Sequence, residues 1–395
     1  MSVPGASPVR CRAVNTGSRH TCFLSPARHP CRCRYSPVTT RSPPSRRAPV
    51  RRPPRRMPLE GDRMPVSRRG FVAAAVAGSA TALLGSGAPA RALTASAAPA
   101  AGRSAAGAAA ADPARWMAAL PDDVPLTRLT VPGTHDTCAT DPLNGTEWSH
   151  TQNMGIPEQL RRGIRFFDIR CGTPPPDVPG ELGIYHGSYY QDITFNTVLD
   201  QCRDFLRASP GETVLMRVKN EHGLTDAQLS DKFGEYLGAK GYGDLFHLGS
   251  TLPVLGAARG KVVLITQFAS GLNAPAWPAG DNGTFSNEWF ELQDHYATSV
   301  DTKRQDILRH FDAATAHQDS GRLYLNFTSL APDAANGFRW PKHLADAVMP
   351  AVLDYLDGHR QPGVHLGVVI MDFPEFHPPA VESLIARNFP PSTAA

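Results

Sequence analysis

The chain has 395 residues and a formal net charge of +4, a small value that conceals two opposed parts. Residues 1–92 carry seventeen arginines, no lysine and two acids, a net of +15, whereas residues 93–395 carry 23 basic and 34 acidic groups, a net of −11. An acidic body excludes general nucleic-acid binding, which depends on clustered Lys and Arg.

Residues 1–56 are rich in Arg, Pro and Ser with almost no apolar periodicity, a composition that does not build a core. Met57 and Met64 are candidate starts that would leave this leader untranslated. Within residues 57–92, Arg68-Arg69 precedes Phe71 and an Ala/Val/Leu run that ends on Ala90-Arg91-Ala92. The pattern resembles a twin-arginine export signal, and its apolar run is short and Gly-rich for a membrane anchor. Residues 93–112 are an Ala-rich linker, and 113–395 fit one large domain. Cys138, Cys171 and Cys202 lie in that domain. Their spacing suits no metal site; a bridge between Cys138 and Cys171 is open after export, and one thiol must stay unpaired within the chain.

Eight strand candidates follow in order: LTRLTV (126–131), IRFFDIR (164–170), LGIYHG (182–187), TVLMRVK (213–219), KVVLITQ (261–267), EWFELQD (288–294), RLYLNFT (322–328) and HLGVVIMD (365–372). Several are near-continuous apolar runs, as in parallel strands buried on both faces. Pro132-Gly133 is expected to end the first strand and turn the chain. Helical segments at 156–162, 196–208, 225–238 and 343–358 intervene, the third opening on a Thr cap and the last ending on Gly. Eight strands with helices mostly between them predict an α/β fold, a (β/α)8 TIM-like barrel with irregular outer helices.

The polar residues fall at strand ends. His135-Asp136 follows the first strand, Asp168 and Arg170 close the second, and His186 closes the third. Lys219 and Glu221 follow the fourth, Gln267 ends the fifth, Asp294 and Tyr296 follow the sixth, and Asp372 ends the eighth. In a barrel these ends converge on one mouth. Two histidines, an arginine and surplus carboxylates suit phosphoryl transfer by general acid–base catalysis. One imidazole takes a proton, the other gives one, and the guanidinium stabilises charge on the non-bridging oxygens.

VPGTHD, TQNMGIPEQLRRGIRFFDIR, YHG at 185–187, VLMRVKNEH and NFTSL, in this order, resemble the bacterial phosphatidylinositol-specific phospholipases C from about residue 125 to beyond Asp372. The resemblance implies an imperfect barrel that works as a monomer. It implies attack of the inositol 2-hydroxyl on phosphorus, releasing diacylglycerol and inositol 1,2-cyclic phosphate. By position, His135 is the implied base, oriented by Asp372, and His186 the implied acid, adjoined by Asp136. Arg170 would contact the phosphate in place of the calcium used by other relatives, so no metal or other cofactor is expected. Lys219, Asp294 and Tyr296 would meet the inositol ring, with Glu221 and Asp168 in support. Gln267 departs from the pattern, standing where better-known relatives place an arginine. Trp148, Phe338 and Trp340, with Trp277 and Phe285 as weaker candidates, are loop aromatics suited to a phosphatidylinositol-containing membrane surface. Two other readings remain: a phosphodiesterase on another head group, and a barrel that binds inositol lipids without turnover.

Overall fold

The structure, a computed structural model, describes residues 112–361 and 363–389. The leader, the export-type segment and the linker up to residue 111 lie outside the described residues. The described strands are β1 (Thr130–Thr134), β2 (Phe166–Gly172), β3 (Gly183–His186), β4 (Tyr189–Thr194), β5 (Val214–His222), β6 (Phe246–His247), β7 (Val262–Gln267), β8 (Gly283–Ser286), β9 (Phe290–Asp294), β10 (Leu323–Phe327) and β11 (Gly367–Met371). The helices are α1 (Ile156–Arg161), α2 (Phe195–Ala208), α3 (Asp226–Leu237), α4 (Leu255–Ala258), α5 (Val300–Ala316), α6 (Pro341–Gly358) and α7 (Pro378–Ala386). Local chemistry sets several helix starts. Thr194 and Ser299 accept from the first turns of α2 and α5, and Thr225 with Gln228 forms a reciprocal capping box on α3.

Eight parallel strands run in the order β6-β7-β5-β2-β1-β11-β10-β9, and β8 adds antiparallel to β9. This is an α/β barrel-like sheet, open between β6 and β8. The expected third barrel strand is not one. β3 pairs antiparallel with β2 and β4, so 183–194 is a hairpin standing off the end of β2. The two-residue β6 takes the vacant parallel place beside β7. No helix separates β7 from β9 either. An extended segment instead lies along β7, with Thr266 accepting from Trp277 N at 2.8 Å and donating to Pro275 O at 3.0 Å.

Pro132-Gly133 does not end the first strand, because β1 continues to Thr134. A residue's N and O face the same neighbour in a strand, and Pro132 O accepts from Arg165 N on the β2 side. There the β1–β2 ladder begins only at Gly133, so the missing proline N–H costs no ladder bond. Gly133 is required by packing: a Cβ there would lie 2.9 Å from Phe166 Cβ. Below the mouth the interior is aromatic. Trp277 is buried against Phe166, Phe290 and Phe327, with ring centroids 6.1–6.4 Å apart, so it is core and not a surface aromatic. The Cys138–Cys171 bridge is also absent. Cys138, Cys171 and Cys202 are free, buried thiols that pack as small apolar side chains, and burial pushes the Cys202 thiol up to about 12.

The opposite end of the barrel is held by Arg165 and Glu212, both fully buried. Arg165 Nε donates to Glu212 Oε2 at 2.9 Å, and its Nη atoms donate to the carbonyls of Leu160, Ile164 and Ala114. Glu212 in turn accepts from the backbone of Met117 and Ala118, pinning the 3-10 turn Pro113–Ala119 beneath the barrel. Removing one partner leaves a buried charge unpaired. Glu212→Ala should therefore cost about 3–5 kcal/mol in urea unfolding, and a loss below about 1 kcal/mol, the level of an exposed pair, would show that the pair does not hold this end.

Candidate active site

Strand parity builds the site. Along β5 the side chains of Arg217, Lys219 and Glu221 share the inner face, as do Asp168 and Arg170 on β2. Register then aligns Asp168 with Arg217 in one layer, and Arg170 with Lys219 and Gln267 in the layer above.

Asp168 lies at the centre of a buried ion network. Its Oδ2 accepts from Arg170 Nε at 3.2 Å, Arg170 Nη2 at 2.9 Å and the Asp136 backbone N–H at 3.1 Å. Its Oδ1 accepts from Arg217 Nη1 at 2.8 Å. Burial alone would raise its pKa, but the charges of Arg170 and Arg217 hold it well below the usual carboxylate range. Arg170 Nη1 also lies 2.9 Å from Asp136 Oδ2 and 3.5 Å from Glu221 Oε1. Glu221 completes the corner by pairing with Lys219 Nζ at 2.6 Å and accepting from Gly187 N at 2.9 Å. Against the cost of burial, Arg170 and Lys219 hold the Glu221 pKa down to about 2.

The two histidines enter from different elements. His135 follows β1, and its Nδ1 bonds Asp372 Oδ1 at 2.8 Å, just past β11. His186 ends β3, and its Nδ1 donates to the Ser149 carbonyl at 2.8 Å while lying 3.0 Å from Asp136 Oδ2. Both Nδ1 atoms face acceptors, so each carries a proton there and leaves Nε2 for chemistry. The rings stand 6.2 Å apart, nearly perpendicular. Backbone strain sits beside this pair. Asp136 (φ 43°) and Phe373 (φ 46°) are left-handed without being glycine, one adjoining His135 and the other Asp372. Gln152 ties the two loops by donating to the carbonyls of His135 and Met371.

Burial lowers the pKa of His135, but the charge and hydrogen bond of Asp372 overcome it and the net shift is upward. Burial also lowers His186; Asp136 opposes this, Arg170 and His135 reinforce it, and the net shift is downward. Of the other expected residues, Gln267 accepts from Arg217, Asp294 ends β9 with its pKa raised by burial against the pull of Lys303 and Arg217, and the Tyr296 hydroxyl donates to Asp281 Oδ2 at 2.9 Å. Trp148, Phe338 and Trp340 stand on loops after β1 and β10, 45–58% exposed, and Trp148 and Phe338 lie 6.3 Å apart. Arg217 and the Ser149 carbonyl are members that the sequence reading missed. The inward parity of Arg217 with Lys219 and Glu221 was a usable signal for the first; a main-chain carbonyl has none. Asp372→Asn removes the charge that favours imidazolium, so the His135 pKa should fall, while His186, relieved of the neighbouring imidazolium, should not fall with it. Histidine Cε1–H NMR reads both, and an unmoved His135 would refute the pairing.

The phosphatidylinositol-specific phospholipase C X domain matches residues 124–268. A 1-phosphatidylinositol phosphodiesterase of Listeria monocytogenes is 30% identical over 293 residues, covering 69% of this chain and 84% of the relative. The protein of that name from Staphylococcus aureus is 26% identical over 299 residues, covering 70% and 93%. Among solved structures, a double mutant of the S. aureus phosphatidylinositol-specific phospholipase C superposes with a TM-score of 0.64 at 25% identity, over 71% of this chain and 98% of that one. The L. monocytogenes enzyme gives 0.59 at 27% identity, over 70% and 99%. Fold, matched segment and coverage agree: the chain belongs to the bacterial phosphatidylinositol-specific phospholipase C X-domain family of phosphodiesterases.

Proposed function

We propose that the protein is an exported phosphatidylinositol diacylglycerol-lyase, acting by general acid–base catalysis without a metal ion. The observation that carries this reading is the pair of oriented imidazoles, His135 on Asp372 and His186 on the Ser149 carbonyl beside Asp136, facing one arginine-lined mouth. His135 Nε2 takes the proton of the inositol 2-hydroxyl as its oxygen attacks phosphorus. The bond from phosphorus to the diacylglycerol oxygen breaks, and His186 Nε2 protonates the departing oxygen. Arg170 offsets charge on the non-bridging oxygens, a role that a calcium ion fills elsewhere. Asp136, Asp168 and Glu221, the carboxylates best placed to hold a cation, already surround this guanidinium. Lys219, Gln267, Asp294 and Tyr296 bind the inositol ring, with Glu221 and Asp168 in support. Export rests on Arg68-Arg69 and the segment after it.

The acid and base have different tests. Phosphorus NMR should show inositol 1,2-cyclic phosphate forming from phosphatidylinositol, unchanged by EDTA; loss with EDTA and recovery with calcium would reject the arginine role. On phosphatidylinositol, His135→Ala and His186→Ala should each lose roughly 100- to 10,000-fold in kcat/KM. A nitrophenyl ester of inositol phosphate has a leaving group that needs no proton. His186→Ala should regain most activity on it and His135→Ala should not, and equal losses on both substrates would contradict the assignment.

One S. aureus relative has a solved structure concerned with the modulation of its membrane binding. Here Trp148, Phe338 and Trp340 share the mouth side with exposed Leu143 and Phe376, an apolar rim suited to a lipid surface. Replacing Trp148 and Trp340 by Ala should lower activity on phosphatidylinositol vesicles at least several-fold while sparing soluble inositol 1,2-cyclic phosphate. Equal loss on both would remove the rim from membrane docking.

A further inference from the structure

We propose that Arg217 is a positioning residue for the inositol-ring end of the site: it fixes the Gln267 amide so that only N–H donors face the ring. The inference rests on the ring-binding reading above and adds a residue to it. Gln267 occupies the end of β7, one layer above Arg217 in the register of β5 and β7. Arg217 Nε donates to Gln267 Oε1 at 2.7 Å, and Arg217 Nη2 donates to the same oxygen. A guanidinium has no acceptor, so the atom it meets must be the amide oxygen, and the amide cannot be reversed. Among the described residues the Gln267 nitrogen finds no acceptor, which leaves its two hydrogens for a ligand.

Arg217 is itself held on three sides. Nη1 bonds Asp168 Oδ1 at 2.8 Å, the guanidinium lies 4.3 Å from the centre of the Trp277 ring, and Phe327 stands at 5.8 Å. It is buried, so its remaining edge has one direction to point, toward Gln267. A carbonyl bound to a cation polarises its amide and makes the N–H a better donor. The positive charge thus lies one layer down and acts through a neutral amide. Asp294, on β9, offers the opposite chemistry, an acceptor for hydroxyl protons. A ring hydroxyl between such groups accepts from one and donates to the other. Without Arg217, Gln267 is free to present its carbonyl oxygen, and a donor to the ring becomes a competing acceptor.

The test is a double-mutant cycle on the full chain, with Arg217→Met and Gln267→Ala alone and combined. Binding of myo-inositol by calorimetry needs no turnover, and KM and kcat are read on inositol 1,2-cyclic phosphate. Each single variant should weaken myo-inositol about tenfold, and the double should be no weaker than either single within about twofold. The KM change from Arg217→Met should vanish in the Gln267→Ala background. Any kcat change passing through Asp168 and Arg170 should persist there, which separates positioning from general disruption. Arg217→Lys keeps a charge with a single point donor; it should lose less, and its loss should also vanish in Gln267→Ala, so it carries the cycle if Arg217→Met does not fold. Independent, multiplying losses would overturn the role of Arg217 while leaving ring binding intact. A wild-type protein that binds no myo-inositol would overturn ring binding itself, and this inference with it.

Discussion

The site depends on one buried carboxylate. Asp168 accepts from two guanidiniums and from the Asp136 backbone N–H, so it fixes Arg170, Arg217 and the loop that carries His135 and Asp136. Each cation is thereby committed to a different end, Arg170 toward Asp136 and His186, Arg217 toward Gln267. A buried anion is costly unless paired, and here two cations and an N–H offset that cost. The register of β2 against β5 makes this possible, because Asp168 and Arg217 are partners across the ladder. A one-residue slip of β5 would turn Arg217, Lys219 and Glu221 away from the interior together.

Around that centre the histidines are placed by elements with no direct ladder between them. His135 directly follows β1 and is gripped by Asp372 past β11, while His186 arrives on a hairpin and is gripped by a carbonyl in the loop after β1. The β1 loop therefore supplies one histidine, the anion beside the second and the carbonyl that orients the second. His135 and Asp136 are neighbours in sequence yet serve opposite sides, and the left-handed turn at Asp136 is the geometry that separates them. Such strain persists only where surrounding bonds over-determine it, and Thr151, Gln152 and Asp168 supply those bonds.

Much of this was legible in the sequence, for reasons that can be named. Parallel strands buried on both faces show as apolar runs, so seven of the eight candidate runs lie largely in strands, whereas LTRLTV is a 3-10 turn at Leu126–Arg128 and enters β1 only at Thr130. Polar groups at seven of the eight run ends mark the mouth. The direction of a short run is not written in it: LGIYHG has the composition of a barrel strand and lies antiparallel. β6 is two residues long, below any periodic signal. Helix α5 hid because polar residues hold part of its buried stripe, with Lys303 and His310 beside Ile307, Phe311 and Ala314. Arg217 hid inside an apolar run, and Trp277 reads as a loop aromatic although the segment bearing it lies along the end of β7 and turns its ring into the core. In each case the deciding fact is a packing partner that the run itself does not name.

The proton order in the resting site adds a last constraint. Asp372 lifts His135 while burial and neighbouring cations lower His186, so a single shared proton rests on His135, the proposed base. The proposed reaction needs it on His186. A phosphodiester arriving beside Arg170 and His186 brings negative charge to the histidine that lacks a full carboxylate bond of its own. That charge favours imidazolium at His186 and offsets the repulsion from Arg170, while the 2-hydroxyl at His135 Nε2 favours a neutral, accepting ring. In the proposed reaction the substrate would thus help set the acid–base pair that acts on it. In the empty site a proton shared by the pair favours His135, and a bound phosphate would shift that preference toward His186.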